Sequence, residues 1–158
     1  MNKYIKNLSF IGIVIICMVP AHVFAYNNLS SLKQPKGFRD VYWESSKGDH
    51  PYLFTTSGNV NGIEVYNREC DLLTLGDAKF SEIAYYYYND KFYQVLITLR
   101  SADDYRPLFD VLVETYGKPE KDSDIFIWEN ETVSIRLFPG GASISYLPVL
   151  NNKQESYY

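Results

Sequence analysis

Two runs of residues separated by a single dipeptide constrain this chain more than any other feature. Ser81–Tyr88 and Lys91–Arg100 are rich in aromatic and β-branched residues, and only Asn89-Asp90 lies between them. A two-residue connection leads nowhere except back alongside the first run, and Asn and Asp tolerate the left-handed backbone such a turn needs. An antiparallel hairpin follows. Pairing Tyr88 with Lys91 sets an expected register: Tyr86 with Tyr93, Ala84 with Val95 and Glu82 with Ile97 on one face. Tyr87 with Phe92, Tyr85 with Gln94 and Ile83 with Leu96 fall on the other. Successive side chains alternate between faces, so a one-residue slip would exchange the two sets.

The next segment changes period. Tyr105, Leu108, Phe109, Leu112, Val113 and Tyr116 fall at i, i+3, i+4, i+7, i+8 and i+11, the stripe of an amphipathic helix. With Asp104 as its N-cap, Pro107 stands in the first turn, where no intrahelical donor is lost. Gly117 is the expected left-handed terminator, and Pro119 stops the helix from resuming. Ala84 is small enough to admit this helix onto the face that carries Val95, Ile97 and Leu99.

Further strands are expected on both sides. Phe38–Trp43 alternates as a first strand, and Tyr52–Thr56 and Ile63–Cys70 form a pair around Asn61-Gly62. Leu72–Leu75 is a short extended piece ended by Gly76-Asp77. Ile125–Glu129, Thr132–Phe138 and Ser143–Val149 follow the helix, with turns at Asn130-Glu131 and Pro139–Ala142. The pattern predicts an α+β domain over 37–150: a largely antiparallel sheet of about six to eight strands with one amphipathic helix packed on one face. Residues 26–36 read as a flexible lead-in and 151–158 as a polar tail.

The N-terminus bears on location. Lys3 and Lys6 precede an apolar run from Leu8 to Val19, closed by Pro20, and Val23-Phe24-Ala25 suits signal-peptidase cleavage after Ala25. The run is about a dozen residues, whereas spanning hydrocarbon takes about 20. A signal peptide over 1–25 is therefore expected, with no membrane span after cleavage and a periplasmic or secreted destination. Ile16 before Cys17 is a poor fit to a lipidation signal. Cleavage removes Lys3 and Lys6, leaving 13 basic residues against 19 acidic ones, a net charge of −6. That balance argues against nucleic acid as a partner, since nothing would neutralise phosphate. Cys70 is then the single remaining cysteine, and burial as a small hydrophobe is the expected role.

The residues also resemble a known group. Gly37-Phe38-Arg39 with Trp43, Tyr66-Asn67-Arg68, a Leu-x-x-Gly-Asp turn at Leu73–Asp77, Tyr88-Asn89-Asp90-Lys91-Phe92-Tyr93-x-Val95, and Tyr116-Gly117-Lys118-Pro119 followed by Trp128 are similar to a family of small uncharacterised exported bacterial proteins. The resemblance spans nearly all of Gly37 to Leu147. It implies a fold and an export route, and it brings no activity and no catalytic residues. Asp40 stands where that family carries a glycine.

No catalytic, cofactor-binding or metal-binding set emerges, and no cofactor is expected. His50 lies in a polar loop near Ser46 and Asp49, but triads are defined by geometry and not by adjacency. Cys70 is flanked by Glu69 and Asp71, whose charge opposes thiolate formation. One histidine and one cysteine are too few for zinc, and the acid pairs Asp103-Asp104 and Asp122/Asp124 lack the remaining calcium ligands. The tyrosine run points elsewhere. Tyr85, Tyr87, Phe92 and Gln94 form a candidate interaction face with partial solvent access, unless a strand such as Phe38–Trp43 covers it. The leading expectation is a non-enzymatic exported binding module that takes a protein or a small apolar ligand. A secreted inhibitor of a basic enzyme and an enzyme of unrecognised type are the alternatives.

Overall fold

The computed structural model describes residues 34–50 and 54–155. The expected signal peptide, most of the lead-in, and the start of the strand expected at Tyr52 lie outside the described residues.

The architecture is α+β. Two tiny strands, β1 (Gly37–Phe38) and β2 (Val41–Tyr42), pair with each other across an Arg39-Asp40 turn. Then come β3 (Phe54–Val60), β4 (Ile63–Arg68), β5 (Thr74–Leu75), β6 (Ala78–Tyr88) and β7 (Lys91–Leu99). Helix α1 (Tyr105–Tyr116) separates these from β8 (Glu120–Asp122), β9 (Ile125–Glu129), β10 (Val133–Phe138) and β11 (Gly141–Tyr146), and a second helix, α2 (Leu147–Glu155), closes the described chain. The main sheet runs β3-β4-β6-β7-β11-β10-β9-β8, and β5 pairs with the start of β6. Every pairing is antiparallel.

Turn chemistry holds at both expected hairpins. Asn61 (φ 53°) and Gly62 (φ 77°) join β3 to β4, and Asn89 (φ 48°) and Asp90 (φ 62°) join β6 to β7. The central register begins as expected, with Tyr88 opposite Lys91 and Tyr87 opposite Phe92. A bulge between Tyr86 and Tyr87 then moves it by one residue, so that Tyr86 faces Gln94, Tyr85 faces Val95 and Ile83 faces Ile97. The consequence reaches the whole sheet. Ile83, Tyr85, Tyr87, Phe92, Val95 and Ile97 now share one face, and all are buried there in one core with Leu108 and Leu112 of α1. The helix therefore packs on the expected face of Val95, Ile97 and Leu99, but β6 contributes Ile83, Tyr85 and Tyr87 to that face where Ala84 and Tyr86 were expected.

Helix α1 has the expected bounds and stripe, with Leu108 and Leu112 buried and Tyr105, Phe109, Val113 and Tyr116 packed around them. Gly117 ends it at φ 79°, and the Trp128 indole donates to the Gly117 carbonyl at 2.7 Å. Asp104 does more than begin the helix. Its buried carboxylate accepts from the Ser101 and Lys79 backbone N–H groups and from the Ser101 hydroxyl, tying the helix start to β6.

Three expectations need correction. Phe38–Trp43 is not one strand, because Arg39 takes a left-handed conformation (φ 57°) and folds the segment on itself. The position where the resembling family has glycine does not take the strained conformation; instead, the Asp40 carboxylate binds the Arg68 guanidinium, at 2.8 Å for one of its two contacts. The last strand stops at Tyr146. Pro148, harmless in a first helical turn, follows at once, and α2 runs on to Glu155 where a strand end and polar tail were expected. Helix α2 lies against β7 and β11, and its Val149 is buried.

Candidate functional site

The segment Pro35–Ser45 forms a strap across the aromatic face of the sheet. Gly37 lets β1 and β2 cross closely, since a Cβ there would sit 2.7 Å from the Tyr42 Cα and nearer still to the Val41 carbonyl. Phe38 meets the Tyr85 ring edge-on at 6.0 Å, and Trp43 stacks on Phe92 at 4.9 Å and on Tyr146 at 6.0 Å. Backbone bonds from Glu44 to Phe92 (2.8 Å) and from Phe92 to Ser45 (3.1 Å) stitch the end of the strap to β7.

The candidate interaction face fails on this geometry. Tyr85, Tyr87 and Phe92 are 0% exposed beneath the strap. Gln94 is not on their face at all, because the bulge places it opposite Tyr86 on the far side of the sheet. Aromatic side chains that looked available for a partner are core.

Beneath the strap runs a charged network. The Tyr85 hydroxyl donates to Asp71 at 2.8 Å, and the other Asp71 oxygen pairs with Arg39. Arg39 also donates to the Leu72 carbonyl, while Arg68 grips Asp40. Burial raises the Tyr85 phenol above its ordinary value, offset in part by the neighbouring arginines. Desolvation lowers the Arg39 pKa, whereas the Asp40 hydrogen bond raises that of Arg68 and the same bond lowers that of Asp40. Asp71 is nearly buried, so its two partners satisfy a charge that would otherwise be costly.

This network pins the loop that follows β4, and the loop presents the most exposed leucines of the described residues. Leu72 is 67% exposed, Leu73 38% and Leu75 37%. The Leu72 carbonyl is held by Arg39, the Leu73 carbonyl accepts from Phe80, and Thr74 and Leu75 pair with Lys79 and Ala78. The turn at Gly76 abuts α1, where a Cβ would stand 2.7 Å from Val111 Cγ2. A firmly held loop that turns leucines outward has a packing cost with no internal return. Single exposed leucines are ordinary, but three within four residues form a patch of the kind that marks interaction sites. The signal was legible as three leucines beside a Gly-Asp turn; their exposure was not.

The catalytic candidates are engaged elsewhere. Ser46 caps the short turn Lys47–Asp49, its hydroxyl donates to Asp90 at 2.6 Å, and the Asp49 carboxylate accepts from the Ser46 N–H. Cys70 is exposed at a left-handed turn position (φ 57°), which corrects the expectation of burial. Among the described residues no group of three or more His, Cys, Asp or Glu side chains comes together. Asn130 accepts from the Thr132 and Val133 N–H groups, an Asx turn closing the β9–β10 hairpin. No described helix is long and apolar enough to cross a membrane.

Comparison with known proteins gives one match. Residues 34–155 fit the family model of the TP0088 domain. No curated protein and no solved structure matches the chain.

Proposed function

The chain belongs to the TP0088 domain family, and on that premise we propose that it is an exported, non-enzymatic binding module that docks a protein through the leucine loop 72–75. Export rests on the apolar run Leu8–Val19 and the Val23-Phe24-Ala25 cleavage pattern. The observation that carries the binding role is the exposure of Leu72, Leu73 and Leu75 on a loop anchored by Arg39. An anchored loop loses little further entropy on binding, so its apolar area contributes to affinity with a small ordering cost. A small apolar ligand fits less well, because leucines turned to solvent do not enclose it.

The test is capture from an envelope extract with tagged residues 26–158, run beside a Leu72→Ser/Leu75→Ser variant. Leu72 is 67% exposed and Leu75 37%, so the variant is expected to lose about 1–2 kcal/mol, mostly at Leu75, and circular dichroism checks that it is folded. A partner held by the wild type and absent from the variant is the expected result. Equal capture by both proteins would remove the loop from consideration and with it this reading.

A further inference from the structure

We infer that the Arg68 guanidinium is a carboxylate-binding site and that Asp40 occupies it as a tethered competitor. Arg68 follows Tyr66 by two residues in β4 and so projects from the same face, and Tyr66 lies opposite Tyr85 of β6. That is the face the strap crosses. There Arg68 hydrogen-bonds the Tyr85 hydroxyl, which itself donates to Asp71 at 2.8 Å. Its two terminal nitrogens meet the two oxygens of Asp40, one of them at 2.8 Å. Two parallel bonds of this kind match a planar carboxylate, so the chemistry of the occupant is displayed by the residue already in place.

The two partners are held differently. The Arg68 side chain is 16% exposed on a sheet strand, whereas that of Asp40 is 56% exposed on the short turn between β1 and β2. The cation is fixed from below and the anion enters from the solvent side. Turning the Asp40 side chain outward opens the fork to solution while Phe38 and Trp43 keep the strap on the sheet. A guanidinium so far out of water then requires another anion in its place. The neighbouring Arg39 is committed to Asp71 and leaves Arg68 as the receptor. The carboxylate comes from a free organic acid or from the end of a peptide chain, and the two sources are separable by experiment.

The experiment is an NMR titration of residues 26–158. The probes are acetate and an N-acetylated alanine tripeptide with a free or an amidated C-terminus, each against chloride at equal ionic strength. Occupancy is read from the Arg68 Nε–H and the amides of the Arg39-Asp40 turn. Acetate is expected to move these signals in the wild type. In Asp40→Asn the competitor is gone, and the same shifts should appear at a concentration at least about tenfold lower. Asp40→Asn/Arg68→Lys should lose the response of the turn amides. Tighter binding of the free tripeptide than of acetate, with the amide silent, assigns the carboxylate to a chain end; equal binding assigns it to a free acid. A wild type that responds to acetate no more than to chloride overturns the inference, whatever the stability of the variants. Equal affinity in wild type and Asp40→Asn, a response that survives Arg68→Lys, or tighter binding of inorganic phosphate than of acetate overturns it too.

Discussion

Truncating Trp43 tests whether the strap is part of the cooperative fold or a detachable cover. In a full core, Trp→Ala costs about 3–5 kcal/mol. Trp43 is half-buried, so roughly half of that applies. Its stacks on Phe92 at 4.9 Å and Tyr146 at 6.0 Å each add up to about 1 kcal/mol beyond area. The bond from its indole to the Pro35 carbonyl at 2.7 Å is lost as well, although water can replace it there. Together these give a loss of about 2–4 kcal/mol. Urea unfolding of residues 26–158 followed by circular dichroism would read this as a midpoint lower by about 1–2 M. Trp43→Phe keeps an aromatic stack and should recover at least half of the loss. Trp128 provides an independent fluorescence probe in both variants. A Trp43→Ala protein within about 0.5 kcal/mol of wild type would refute the reasoning. It would mean that the strap leaves the sheet at little cost, and Tyr85, Tyr87 and Phe92 would return as an accessible face.

Three further perturbations bear on the same framework. Gly37→Ala places a methyl group against the Val41 carbonyl and the Tyr42 backbone, so β1 and β2 must separate; a loss of about 3 kcal/mol or more in urea unfolding is expected. Tyr85, Tyr86, Tyr87, Tyr105, Tyr116 and Tyr146 all have phenol pKa values raised mainly by burial. The unfolded chain gives up these protons first, near pH 10, so stability is full below that pH and falls as pH rises beyond it. Urea midpoints should therefore decline steadily above pH 10, with tyrosinate absorbance appearing together with unfolding. Asp104 titrates below the usual carboxylate range because the Ser101 hydroxyl and the Lys79 and Ser101 amides hold its charged form. Its contribution is present at neutral pH and lost as pH falls through about 4 and below. Asp104→Ala should flatten the acid limb of stability against pH, measured by thermal melts between pH 2 and 6.

The hairpin, the helix and the α+β class were legible because each depends on local chemistry. Asn89-Asp90 and Asn61-Gly62 supply left-handed backbone, Asp104 and Gly117 delimit α1, and the stripe from Tyr105 to Tyr116 has one period that fits. What stayed hidden is non-local. Val149 belongs to a helix because Pro148 suits a first turn and the neighbouring sheet buries Val149, whereas Ser143–Val149 alone alternates well enough to pass as a strand. Phe38–Trp43 likewise alternates, and nothing in its composition reveals that Arg39 accepts a positive φ in return for reaching Asp71, 32 positions away in the chain.

The bulge between Tyr86 and Tyr87 shows how a local irregularity can decide where function is sought. The extra residue is Tyr93 of β7, between Phe92 and Gln94, and nothing in that run of residues marks a change of period, so the sequence is silent on where the strand gains a residue. Without the bulge, Tyr85 would share a face with Gln94, and a wetter aromatic surface would follow. With it, Tyr85 joins Val95 and Ile97, and the face becomes so apolar that it requires two covers, α1 at one end and the strap at the other. The strap needs an anchor, and Arg39 finds it in Asp71 and the Leu72 carbonyl. The loop carrying the exposed leucines is thus fixed by the same arginine that closes the core. A lesion at Arg39 should therefore loosen the fold and blur the dock together, whereas Leu72→Ser should affect the dock alone, and comparing the two variants separates anchoring from recognition.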